Sequence, residues 1–309
     1  MQIHGQKIML NRFLLIGMVL ASFVVMPVMA ADSPWWMHDS EVDVASYVKD
    51  KKGNVTTGGF TLKVTLVKGK DYAIIQTLNP FVHEINGQRI SEQDIPLEVN
   101  ALLKLTPAIA VNSVGEVLEV QNTDKLISAT VNLVEDADLR MKLSSFYKLP
   151  MVKQLIDQKA QEYWSLWSMS YQFKDLPIGE FGPNQETLES IGAPFTESVL
   201  IKLSESTKYS GLRELKISRA TIGDSFSRAL EKIVMKSNLL PNSKGESQGK
   251  LEASRATTNW LSFYPDSGRP DQIKLNVITS ITSKDTKAKQ TAIEEKRFKF
   301  FWDKKRFSN

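Results

Sequence analysis

The sequence predicts an α+β fold, mainly an antiparallel, curved β-meander with two to four helices packed on it. Three observations carry that expectation. Several segments alternate apolar and polar residues with period two. Glycine-bearing turn signals recur between those segments. One long middle stretch switches to apolar residues spaced three and four apart, the helical period.

The elements follow in order. Met1 to Ala30 reads as a signal peptide: Lys7 and Arg12 form a basic start, an apolar run of 16 residues spans Phe13 to Val28, and "VMA" ends in a small residue. That run is shorter than the roughly 20 residues that cross a bilayer, so cleavage near Ala30/Ala31 is expected rather than an anchor. Residues 31–175 then form an N-terminal region of strands plus a helical segment. "FTLKVTLV" and "YAIIQTL" alternate around "KGKD" as a hairpin, with Tyr72, Ile74, Gln76 and Leu78 on one side of the second arm. Asn86-Gly87 fits a type I′ turn, whose two central positions both need positive φ. "AIAVNSVGEVLEV" repeats the design with Gly115 at its turn.

From Asn122 to Met169 the spacing predicts two or three helices, with Pro150 at a break and the acidic "EDAD" at 135–138 as a cap region for a helix start. "KDLPIGEFGPNQETLESIGAP" carries three prolines and three glycines and reads as the boundary between halves. Residues 176–309 form a β-rich C-terminal half: strands at "ESVLIKLSE" and "GLRELKISRAT", a short helix opening at Asp224 with Phe226, Leu230 and Ile233/Val234 as its stripe, a surface loop at "PNSKGESQGK", two strands around "PDSG", and a last strand at "TAIEEKRFKFFW". Each half holds strands, helix and a glycine hairpin, so two similar halves or one continuous domain are both open.

Composition narrows the chemistry. The chain has no cysteine, hence no disulfide and no thiolate metal site. Without Lys7 and Arg12, 37 basic residues stand against 35 acidic ones, a balance that gives no case for nucleic acid. Past the signal only His38, beside Asp39, and His83, beside Glu84, remain; neighbours in an extended segment point to opposite faces, so His83 and Glu84 are not expected to converge, and a surface histidine is the expected reading of both. No nucleophile elbow, phosphate loop, dinucleotide fingerprint or calcium loop occurs. The expectation is a protein that is not an enzyme and uses no cofactor or metal, with hydrolysis the less favoured alternative.

Two segments invite a functional reading. "EYWSLWSMSYQF" gathers Tyr163, Trp164, Trp167 and Tyr171 on a broad helical stripe continuous with Met151, Leu155/Ile156 and Ala160. Those rings either fill a core between helix and sheet or line a cavity for an apolar, lipid-like ligand, and the sequence leaves both open. The C-terminal "EEKRFKFFWDKKRFSN" alternates Phe298, Phe300 and Trp302 with Arg297, Lys299 and Phe301, as a closing strand would. Beyond it, Lys304, Lys305 and Arg306 are candidates for contact with an anionic membrane surface.

The layout "AVNSVGEVLEVQNTDKL", a helical stretch, "LPIGEFG" and "WLSFYPDSGRPDQIKLNV" resembles a loose group of secreted bacterial β-rich proteins of unassigned function. The likeness covers roughly Phe60 to Thr282 and rests on turn chemistry; it implies envelope location and a β-rich fold. In plan alone, the chain also resembles periplasmic lipoprotein carriers and related lipid-binding proteins. From residues and resemblance together, the expected function is an exported, periplasmic or secreted, non-enzymatic binding protein for an apolar ligand, the alternative being a structural or interaction protein of the cell envelope.

Overall fold

The computed structural model describes residues 33–95, 106–188, 193–236, 251–283 and 287–303. Among them, twelve strands form one antiparallel, unclosed sheet in the order β6-β5-β3-β2-β1-β12-β11-β10-β9-β8-β7, with the two-residue β4 paired to β3. The strands are β1 (Ser40–Lys49), β2 (Val55–Leu66), β3 (Tyr72–Ile85), β4 (Gln88–Arg89), β5 (Ala108–Asn112), β6 (Val117–Gln121), β7 (Gly179–Leu188), β8 (Phe195–Glu205), β9 (Arg213–Thr221), β10 (Leu251–Phe263), β11 (Pro270–Ser283) and β12 (Lys289–Phe301). First and last strands are neighbours, so the sheet runs unbroken through both halves of the chain.

Four α-helices accompany it: α1 (Thr123–Asn132), α2 (Ala137–Tyr147), α3 (Pro150–Gln172) and α4 (Ser225–Lys236). Their starts have visible causes. Asp136 caps α2 by accepting from the Leu139 N–H at 2.8 Å. Pro150 occupies the first turn of α3, where a missing N–H costs nothing. None of these helices is long and apolar enough to cross a membrane.

The hairpins match their turn chemistry. Asn86 and Gly87 both have positive φ, 51° and 81°, as the type I′ turn requires. On β3 the core-facing set is Ala73 and Ile75, opposite Val64 and Val111, rather than the side carrying Tyr72 and Ile74. The proline-rich stretch after α3 is not a loop throughout: its middle, Gly179–Leu188, is β7. Gly182 and Pro183 sit at a bulge between Phe181 and Asn184 on this edge strand, where a proline removes no ladder bond and Gly182 runs at φ +101° with no room for a Cβ beside the Val199 carbonyl. The Ile233/Val234 side chains and the loop at 241–250 lie outside the described residues.

One face of the sheet carries the core. Val42, Val44, Leu62, Val64, Leu215, Ile217, Leu261, Ile273, Phe298 and Phe300 line it, and α3 packs across them. A second cluster forms where α4 meets β8 and β10, from Leu188, Phe195, Phe226, Ala229 and Ala253. The other face is left to solvent along its middle strands.

Candidate functional site

The four aromatic residues singled out on α3 lie on its sheet-facing side. Trp164, Trp167 and Tyr171 are buried and Tyr163 half-buried. They are met by rings from elsewhere. Trp36 stands edge-on to Trp164 at 5.1 Å and to Tyr171 at 4.9 Å; Trp35 lies 5.8 Å from Trp164 and 5.2 Å from Trp302; Phe60 and Tyr163 lie within 6 Å of Trp167. Such edge-to-face pairs add about 0.5–1.5 kcal/mol each beyond area burial. Three indole N–H groups also find carbonyls: Trp164 donates to Gly115 at 2.8 Å, Trp36 to Asn112 at 3.0 Å and Trp302 to Pro270 at 2.7 Å.

Trp35 and Trp36 were not anticipated as part of this assembly. They sit on a single 3-10 turn, Trp35–Met37, ahead of β1, and Trp36 has no exposed surface. Adjacent tryptophans on so short a segment carry no periodicity, so only their size marked them. The tail residues Phe298 and Phe300 face this core, whereas Lys304, Lys305 and Arg306 lie outside the described residues.

A different environment separates the two apolar clusters. Read along one face of β10, Ala253 belongs to the α4 cluster and Leu261 and Phe263 to the main core; between them stand Arg255, Thr257 and Asn259. These three are only 5 %, 6 % and 5 % exposed. Strand pairing brings Arg219 of β9 beside Thr257, and Glu197 of β8 beside Glu186 of β7. The result is an ionic belt buried across the helix-covered face.

Partners within the belt are unequally shared. The Arg219 guanidinium contacts Glu186 at 2.8 Å and Glu197 at 3.9 Å. Lys296 contacts Glu294 at 3.0 Å and lies over the Tyr163 ring at 5.3 Å. Burial works against the Lys296 charge, but Tyr163 and Glu294 outweigh it and hold its pKa above the usual lysine range. Burial pushes the Glu197 carboxyl above its ordinary value despite Arg255 and Arg219 nearby.

Arg255 has no ion pair within 4 Å among the described residues, and its Nε has no hydrogen-bond partner; neither have Thr257 Oγ1 and Asn259 Oδ1. Burial draws the Arg255 pKa down, with Glu197 and then Glu162 of α3 opposing. It stays charged all the same, because a guanidinium does not lose its proton in a protein. A charge buried at this depth without a close ion pair carries a desolvation cost on the order of several kcal/mol, offset in part by those more distant carboxylates.

The histidines stand apart from this belt. His38 and His83 are exposed, and the His83 ring meets only the Thr57 hydroxyl at 3.2 Å. Among the described residues no three His, Asp or Glu side chains cluster as a metal site. No protein-family model matches the chain, and no curated protein matches it.

Proposed function

We propose that this chain is an exported, non-enzymatic binding protein for an amphiphile, an apolar ligand with an acidic head. The head, a carboxylate or phosphate, pairs with Arg255 and accepts from Thr257, and Asn259 offers its amide. The tail runs from the belt along the apolar side chains that border it on the same face. The rings of Tyr163, Trp164, Trp167 and Tyr171 then form the wall and frame of the site rather than its floor.

The observation that carries this reading is the buried Arg255, set between two apolar clusters on one strand, with no ion pair within 4 Å among the described residues and no hydrogen bond at its Nε, its balancing carboxylates Glu197, Glu162 and Glu294 acting only at longer range. A ligand that supplies the missing anion relieves the desolvation cost, and one that also brings an acyl chain gains about 0.8 kcal/mol per CH₂ buried. The second reading, an envelope structural or interaction protein with no small ligand, draws support from the dense ring packing under α3.

Native mass spectrometry of gently purified mature protein, followed by organic extraction, tests the proposal. Recovery of an acidic amphiphile, released by Arg255→Met, is the expected result. Protein that arrives ligand-free and gives no tryptophan response to fatty acids or lysophospholipids favours the second reading.

A further inference from the structure

The outward face of the sheet carries an arrangement that neither the core nor the belt explains. In the strand register, Lys202 of β8 is directly opposite Lys216 of β9, Lys216 opposite Trp260 of β10, Trp260 opposite Lys274 of β11, Lys274 opposite Arg297 of β12, and Arg297 opposite Tyr47 of β1. Six consecutive strands thus contribute one residue each to a single row of four cations and two aromatics. At about 4.8 Å between strands the row is roughly 24 Å long. Lys202, Lys216, Lys274 and Arg297 are all exposed.

This row works against stability. Like charges placed directly opposite on neighbouring strands repel, and the row does this twice, at Lys202/Lys216 and at Lys274/Arg297. Among the described residues only Glu295 answers the second pair, reaching Arg297 at 2.6 Å and Lys274 at 3.5 Å. Lys202 and Lys216 have no ion pair among the described residues. Lys202 and Lys216 are therefore available to a partner, while Lys274 and Arg297 share one carboxylate between two charges.

The middle of the row is a groove of about 470 Å³ lined by Thr258, Trp260, Gln272, Lys274, Asn276 and Arg297. Trp260 is held in place by its indole N–H, which donates to Glu214 at 3.3 Å. Arg297 stacks over the Tyr47 ring, 4.5 Å from its centre, which fixes the guanidinium at the end of the line. One flat ring, two side-chain amides, a hydroxyl and flanking cations make a set that reads hydroxyl-rich rings bearing occasional negative charge.

We infer that this row binds a linear acidic glycan across the strands, a sugar ring lying on Trp260 and its carboxylates or phosphates on Lys216, Lys274 and Arg297. The shape of the charge distribution argues for a polymer: it is one residue wide and several strands long. The acidic residues at its rim argue for a sugar. Glu214 and Glu295 repel a backbone with a phosphate at every unit, or a continuous anionic membrane, but accept hydrogen bonds from sugar hydroxyls. Gln272, Asn276 and Thr258 add neutral donors and acceptors where a sparsely charged chain needs them.

The test titrates the mature protein with polygalacturonate and with phosphomannan, using maltohexaose, a thymidine oligonucleotide and phosphatidylglycerol vesicles as comparisons. Binding of at least one acidic glycan is expected, whichever of the two shows the preferred anion, with maltohexaose much weaker. Trp260→Ala and the double change Lys216→Gln/Lys274→Gln should each weaken it tenfold or more. Glu295→Gln should tighten it, and the off-row pair Lys68→Gln/Lys70→Gln should leave it unchanged. Melting temperature checks that each variant is folded, and the lysine pair serves if Trp260→Ala is not. The inference is overturned if neither acidic glycan binds, if the off-row pair loses as much affinity as the row pair, or if the oligonucleotide or the vesicles bind more tightly than both glycans.

Discussion

Under α3, indole and phenyl rings from several segments close around one another; across the belt, the Nε of a guanidinium, a hydroxyl and an amide oxygen stand buried with no hydrogen-bond partner. The two regions share one face of one sheet, and both are buried. The aromatic region gains from every contact it makes, through area and ring geometry. The belt sustains a cost that a purely structural protein would remove by placing leucine or methionine at 255. The aromatic region also leaves the Trp35 and Trp167 indole N–H groups unpaired, but those are neutral; the belt's cost falls on a charge, and a charge kept at that cost points to use, since residues that serve a ligand are commonly those that weaken the free protein.

The largest expected effect sharpens the first half of that contrast. Trp36→Ala and Phe300→Ala should each destabilise the fold by about 3–5 kcal/mol, read by denaturant melts, because each leaves a cavity among rings that cannot collapse to fill it. A loss below about 1 kcal/mol at either position would mean that the rings are loosely packed and that the space between them is available after all.

Arg255→Met is predicted to act in the opposite direction. Exchanging a buried, uncompensated charge for an apolar chain of similar length should stabilise the ligand-free protein by about 1–4 kcal/mol. Destabilisation would show that Arg255 already has its counter-charge in Glu197 and Glu162, and the belt would then be a structural network.

A smaller effect concerns pH and the outer face. The hydrogen bond from Arg297 acts most strongly and burial, which opposes it, comes second; with the charges of Arg297 and Lys274 added, the Glu295 carboxyl is held below its ordinary value of 4.5. Its folded pKa thus lies below the unfolded one, so its stabilisation is present above about pH 4.5 and is lost as pH falls through the folded value. Glu295→Gln should cost about 0.5–1 kcal/mol at pH 7 and nothing at the lowest pH where the fold persists, by thermal melts across that range.

The smallest effect is expected at the tail. Neutralising Lys304, Lys305 and Arg306 should change stability by less than about 0.5 kcal/mol. If the tail rests on an anionic membrane, the same change should release the protein from acidic vesicles, at about 1 kcal/mol per charge. Liposome co-sedimentation at low salt separates the two outcomes.

How much of this was legible in the sequence depended on distance along the chain. The hairpins at Gly115 and Asn86-Gly87, the α2 cap at Asp136 and the α3 stripe were readable because their determinants lie within a few residues of one another. β7 was not, since Gly182 and Pro183 look like a loop until an edge position and a bulge make them acceptable in a strand. Arg255, Thr257 and Asn259 occupy alternate positions between apolar residues, a local sign of polar groups facing inward, but their isolation shows only once β9 and β8 are alongside. The row from Lys202 to Tyr47 had no local sign at all: each member comes from a different strand, and pairing alone aligns them.

The central claim, that Arg255 awaits the acidic head of an amphiphile, is met most directly by calorimetric titration of the protein, after organic extraction, with palmitate and with hexadecanol, which share a chain and differ in charge. The account predicts that palmitate binds at least tenfold more tightly than hexadecanol and that Arg255→Met abolishes the difference while the protein remains folded. Equal binding of the two, or a preference for palmitate that survives Arg255→Met, would contradict it.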